Sequence, residues 1–151
     1  MKLSNKGRYA ILALVDLAIH RDQGATQVRQ ICGREEIPPR FLEQVFQDLK
    51  RAGIVRSKRG PRGGYQLSRE PSDVRLGDII RAIEGPLAMV NASAGPVEDA
   101  SPSQLAMQAM LGEVARRIDA CLDDTTLSDM VERAESMAVD SGRSSAYVYA
   151  I

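Results

Sequence analysis

The chain has 151 residues, 44% hydrophobic and 26% charged, with no Trp, two Cys and one His. That length allows one good core with an arm, and no apolar run approaches the roughly 20 residues of a membrane span. Net charge is zero, yet residues 1–70 carry 14 Lys and Arg against 7 Asp and Glu, a net +7, while residues 71–151 carry 6 against 13, a net −7.

Such an asymmetry suits a polyanion on the first part and a different task on the second. Two cysteines at unrelated positions make no disulfide framework, so a reducing cytoplasm is the expected location. Lys2, Lys6 and Arg8 ahead of the apolar run Ala10 to Ile19 imitate a signal peptide, but no small-residue cleavage site follows.

Taken in order, Ser4 can cap a helix running to about His20, with Ile11, Leu14, Val15 and Ala18 at helical spacing. His20, at the helix end, can satisfy terminal carbonyls. After the turn "DQGAT", Thr26 can cap a short second helix carrying Val28 and Ile31. Pro39 opens a third, "PRFLEQVFQDLKRA", because its missing N–H would be unpaired at the first helical position. Leu42, Val45, Phe46 and Leu49 form its inner stripe, and Gly53 stands where a helix stops. The period then changes. "IVRS" and "YQLS" read as strands, with Val55, Tyr65 and Leu67 facing a core. Between them lies a basic, glycine-rich turn within "SKRGPRGGYQLS". A helix over Leu76 to Glu84 follows, closed by Gly85 and Pro86.

The small, polar stretch from residue 88 reads as a loop. A long helix from Ser103 to about Leu122 comes next. Met107, Leu111, Val114, Ile118 and Cys121 recur on it 4, 3, 4 and 3 residues apart, the seam of a helix that packs on a second copy of itself. A last helix begins after Thr125 or Thr126, before an apolar, β-prone tail. The expected fold is mainly α with a small β-wing. A winged helix-turn-helix domain occupies 1–86, a loop 87–102, and a dimerisation helix with C-terminal helix and tail 103–151.

These residues suit duplex DNA. The major groove admits one helix and displays a donor/acceptor code. Arg pairs with guanine, Gln with adenine, and Glu accepts from cytosine. Arg40, Glu43, Gln44 and Gln47 stand near the start of the third helix. Glu43 is a poor phosphate neighbour, so on a DNA face it acts as a selector. Arg59 at the wing tip can enter a narrow minor groove. Gly60, Gly63 and Gly64 let the backbone approach closely, and Lys58 and Arg62 can rest on flanking phosphates.

"LSNKGRYAILALVDLA", "IPPRFLEQVFQDLKRAGIV" and "RGPRGGYQLS" resemble the winged-helix repressors of the IscR/NsrR/CymR family, closely over about residues 1–86 and loosely over the long helix. The resemblance implies a homodimer on a pseudo-palindromic operator. It places Phe41, Glu43 and Gln44 in the major groove, and Arg59 and Gly60 in the minor groove. Arg40 stands where members often have a small polar residue and Arg62 where many have glycine; both can alter operator preference. Cluster-binding members carry three cysteines in the loop and the start of the long helix. Residues 88–111 here contain none, and Asn91, Glu98 and Asp99 are oxygen donors ill-suited to iron–sulfur. The expectation is a regulator with no cofactor and no metal. As in cluster-free members, control would come from a small-molecule effector or a partner such as a cysteine-metabolism enzyme.

Two other readings stay open. One is a thiol switch at Cys121 or Cys32, against the simpler reading of both as inert. The other is a protein-interaction module on the same fold, for which a neutral wing would speak. An enzyme is not expected, with a single His, no nucleophile–base spacing and no phosphate loop.

Overall fold

The computed structural model describes residues 3–86 and 100–140. Six helices and one small antiparallel sheet follow in the order α1 (Asn5–Ile19), α2 (Val28–Glu35), α3 (Pro39–Arg51), β1 (Val55–Lys58), β2 (Gly64–Leu67), α4 (Leu76–Glu84), α5 (Pro102–Asp124) and α6 (Leu127–Asp140), with 3₁₀ turns at Arg21–Gln23 and Pro71–Asp73. The residues 87–99, including the expected loop and its oxygen donors Asn91, Glu98 and Asp99, and the tail from 141 lie outside the described residues.

Local chemistry sets the helix ends. The Ser4 side chain accepts from the Gly7 N–H and caps α1. Glu84, at the end of α4, accepts in turn from the Ser4 hydroxyl. At the other end of α1 the His20 ring, buried, bonds through Nδ1 to the Asp16 carbonyl at 2.8 Å. Pro39 opens α3, and Gly53 takes a positive φ of 71° just past its end. Thr26 departs from expectation. It does not cap α2; Gln27 holds the N-cap position, its N–H donating to the Gln30 side chain at 2.9 Å. Thr26 instead exchanges two main-chain bonds of 2.8 Å with Tyr65 of β2.

The core lies where α1, α2, α3 and α4 meet the base of the wing. Ala10, Ala13 and Leu14 of α1 have no exposed surface, nor do Ile31 of α2 or Leu42, Val45, Phe46 and Leu49 of α3. Phe46 stacks on Tyr65, ring centres 4.2 Å apart and planes within 8° of parallel. Asp16 is buried among these groups and is held by both Nε and Nη2 of Arg34 at 2.7 Å, which pins α1 to α2 and satisfies the buried charge.

The long helix behaves differently. Ser101 and Gln104 cap it reciprocally, and Pro102 occupies its first position, yet none of its residues is buried. Its C-terminal half is attached to α4 by charge. Arg81 reaches Asp123 at 2.5 Å, Asp78 at 3.4 Å and Asp119 at 3.5 Å. Arg75 donates to the Asp123 carbonyl. Gly77 leaves room for this crossing, since a Cβ there would collide with the Asp123 carboxylate. α6 then turns back. Thr126 and Asp129 cap it reciprocally, and Leu127, fully buried, enters the core beside α1. The sequence boundary at residue 103 groups α6 with the dimerisation helix; in the fold, α6 packs against the winged domain.

Candidate nucleic-acid interface

On α3 the buried stripe sends the rest of the helix outward. Arg40, Phe41, Glu43, Gln44 and Gln47 are all exposed. Phe41 is 48% exposed despite its size, and its outward pose is supported by Tyr9 of α1, ring centres 5.8 Å apart. Lys6 of α1 pairs with Asp48, which fixes the far side of α3.

The wing joins β1 and β2 in the register Val55 to Leu67 and Lys58 to Gly64. Lys58, Arg59, Gly60 and Arg62 at its end are exposed. The glycines divide by role, which the sequence reading had not separated. A Cβ on Gly64 would strike the Thr26 carbonyl, and one on Gly63 would strike the wing's own Lys58 carbonyl. Both are therefore consumed by the fold. Gly60, at φ 109° with nothing near a Cβ, is the one left open to an approaching backbone. Gln27 donates from Nε2 to the Pro61 carbonyl at 3.4 Å, linking the wing tip to the start of α2.

Electrostatics separates the two halves further. Among the described residues, Arg40, Lys58, Arg59 and Arg62 have no carboxylate partner. The same holds for the exposed Arg8 of α1 and Arg29 of α2, which sequence reasoning passed over. Their signal is the lack of a nearby carboxylate, visible only once the chain is folded. Arg81, Arg116 and Arg117 in the acidic half are instead tied into ion pairs.

On α5 the expected seam divides. Met107 (53%) and Val114 (42%) are exposed, as is Cys121, while Leu111 and Ile118 are half-covered by their own chain. Met110, outside the expected 4–3 pattern, is the most exposed large apolar residue there at 71%. The Cys32 thiol lies half-buried against the core, and burial pushes its pKa up, with Glu43 adding to the effect. That keeps it protonated and a poor nucleophile.

Residues 3–133 match the Rrf2 family, described as iron-dependent transcriptional regulators. The chain is 33% identical to the HTH-type transcriptional regulator CymR of Bacillus subtilis over 151 residues, all of both chains. It is 36% identical over 136 residues to IscR of Cereibacter sphaeroides, covering 87% of this chain and 88% of that one. Among solved structures it is similar to B. subtilis CymR, described as the global cysteine regulator, with a TM-score of 0.74 at 34% identity over 88% of this chain and 98% of that one. It is similar also to T. potens IscR, TM-score 0.72 at 36% identity over 91% and 90%.

The residues present do not fit an iron–sulfur cluster. Such a cluster is held by several thiolates. This chain has two cysteines in all, Cys32 on α2 and Cys121 on α5, and its single histidine is buried in a bond to Asp16. Among the described residues no group of three or more His, Cys, Asp or Glu is placed to hold a metal ion, and no helix is long and apolar enough to cross a membrane.

Proposed function

The chain belongs to the Rrf2 family of transcriptional regulators, and from that premise we propose that it is a repressor that binds a pseudo-palindromic operator as a homodimer, without a cluster. It is a DNA-binding regulator and not an enzyme. The observation that carries the finer reading is the set of exposed cations without carboxylate partners on α3 and the wing. They flank the exposed Phe41, Glu43, Gln44 and Gln47.

In the proposed docking the N-terminal half of α3 enters the major groove. Arg40, Gln44 and Gln47 pair with base edges, Phe41 meets thymine methyl groups, and Glu43 rejects bases that offer it only acceptors. Arg59 and Gly60 enter the minor groove, with Lys58 and Arg62 on phosphates. Two copies join along α5 through Met107, Leu111, Val114, Ile118 and Cys121, with Met110 added from its exposure. The signal is a metabolite or a partner protein. The resemblance to a protein described as a cysteine regulator makes cysteine metabolism its first candidate source.

Selection of bound sites from random duplex DNA tests this reading. The expected product is an inverted repeat whose half-sites lie about one helical turn, or a multiple of it, apart. A motif with no dyad symmetry would refute the dimeric docking. Iron and acid-labile sulfide near stoichiometry in anaerobically purified protein would overturn the cluster-free part.

A further inference from the structure

A cleft of about 150 Å³ opens at the base of the wing, away from its tip. The apolar part of its floor is made by Leu17, Leu67 and Pro71, beside a slightly larger polar surface. Three guanidinium groups from three separate stretches of chain stand around it: Arg21 after α1, Arg56 on β1 and Arg69 after β2. Among the described residues, Glu70 is the single carboxylate in the lining, and Arg21 engages it at 3.1 Å. Arg69 turns aside to the Asp73 carbonyl at 3.3 Å and to Asp78 at 3.7 Å.

Arg56 is the uncommitted one. Among the described residues it has no carboxylate partner. Its cross-strand neighbour is Gln66. With the Gln66 amide oriented to suit its surroundings, the amide oxygen accepts from Arg56 Nε at 2.6 Å and from Nη2 at 2.9 Å. A neutral acceptor orients the guanidinium without cancelling its charge, and leaves its remaining N–H groups for something else. Arg21 and Arg69 already have carboxylates, so Arg56 is the cation of the cleft that is left to meet an incoming anion.

We propose that this cleft binds a small organic carboxylate with a short hydrocarbon body. The guanidinium fork of Arg56 takes the carboxylate, and Leu17, Leu67 and Pro71 cover the hydrocarbon. The size agrees, since a volume of about 150 Å³ matches a ligand of benzene's size, about six heavy atoms. A DNA phosphate would make no use of the apolar floor. The site stands independently of the proposed docking on DNA.

The test is a titration of the full-length, isotopically labelled protein, free of DNA, followed by the amide resonances of Gly24, Gln66 and Leu67 at constant ionic strength. Butyrate should give saturable shifts, half complete at roughly 1–10 mM. Acetate should bind several-fold more weakly because it leaves the floor uncovered. Arg56→Ala should raise the butyrate midpoint at least tenfold, and Arg56→Lys should fall between the two. An unchanged melting temperature shows that both variants are folded. Linear, non-saturating shifts, or an unchanged midpoint in Arg56→Ala, would overturn the site. Inorganic phosphate binding as tightly as butyrate would overturn the hydrocarbon part. If Arg56→Ala lowered the salt slope of DNA binding by about 0.9, the loss of one phosphate contact, the cleft would belong to the DNA backbone and not to a metabolite.

Discussion

The winged domain and α5 are built on opposite plans. Among the described residues, every fully buried hydrophobic residue lies in residues 3–86 or is Leu127 at the start of α6; α5 supplies none across its 23 residues. The first region closes its own core, so side chains decide its stability. The second is held at one end by Arg75 and Arg81 and exposes Leu105, Met107, Met110 and Val114 along the rest. An isolated helix gains little in water from propensity alone. The lesson of the comparison is that a substitution in one region should be felt as folding and in the other as assembly.

Phe46→Ala tests the first half of that statement and should have the largest effect. It removes a fully buried ring that also stacks on Tyr65, so the expected loss is about 3–5 kcal/mol, a large part of a typical domain's stability. Chemical denaturation measures it, and a loss under about 1 kcal/mol would mean that the core is looser than drawn.

Met110→Asp together with Val114→Asp probes the other half. Both side chains are exposed within one chain, so thermal stability of the winged domain should hardly change. Sedimentation should show monomers, and operator affinity should fall by on the order of 100-fold or more as two half-sites cease to be bound together. An intact dimer in this variant would remove α5 as the joint.

Within the winged domain, recognition can be separated from adhesion. Glu43→Ala should broaden the base preference at one position of each half-site, lowering discrimination there by about 1–3 kcal/mol with little change in affinity for the best site. An unaltered motif would return Glu43 to the solvent. Arg62→Ala should weaken binding alike on all sequences and reduce the salt slope by about 0.9. A change in motif with an unchanged slope would contradict a phosphate role.

The smallest expected effect concerns Glu35. Burial, and then the neighbouring Asp16, hold its carboxyl above the ordinary range, against Arg34 and His20. A carboxyl raised by folding binds its proton more tightly in the folded chain, so this group's contribution to stability falls as pH rises through that raised value. Glu35→Gln should therefore be slightly more stable than the parent at pH 7, with the gain vanishing below the ordinary Glu range. Denaturation midpoints across pH 4–8 decide it, and a less stable variant at pH 7 would reverse the assigned cause.

Much of this division was legible in the sequence because it rests on neighbours. Ser4 before an apolar period, Pro39 ahead of a four-residue stripe, and Gly85 after Glu84 are local signals, and the helices they bound lie where expected. Thr26 was misassigned for the complementary reason. Its residue type favours a cap, but its partner Tyr65 arrives from another element, and two main-chain bonds outweigh one side-chain bond. The proposed seam on α5 rests on a period of apolar residues legible in the sequence, whereas the exposure of Met110 was not legible, because a 4–3 count ignores which turn the chain itself covers. The unpartnered state of Arg8, Arg29 and Arg56 needed the fold as well, since it is a statement about where carboxylates are not.

The pairing of Thr26 with Tyr65 has a mechanical consequence. Tyr65 is gripped on one side by the strand-like residue ahead of α2 and on the other by the Phe46 ring of α3. The base of the wing is thereby tied to both helices of the helix-turn-helix, and we expect it to move with them as one body. Under the proposed docking, the two grooves are then sampled at a set distance along the duplex, like the teeth of a gauge. One base pair inserted between the two contacted positions, about 3.4 Å of extra rise, cannot be absorbed by a swinging wing, so each half-site admits a single internal spacing.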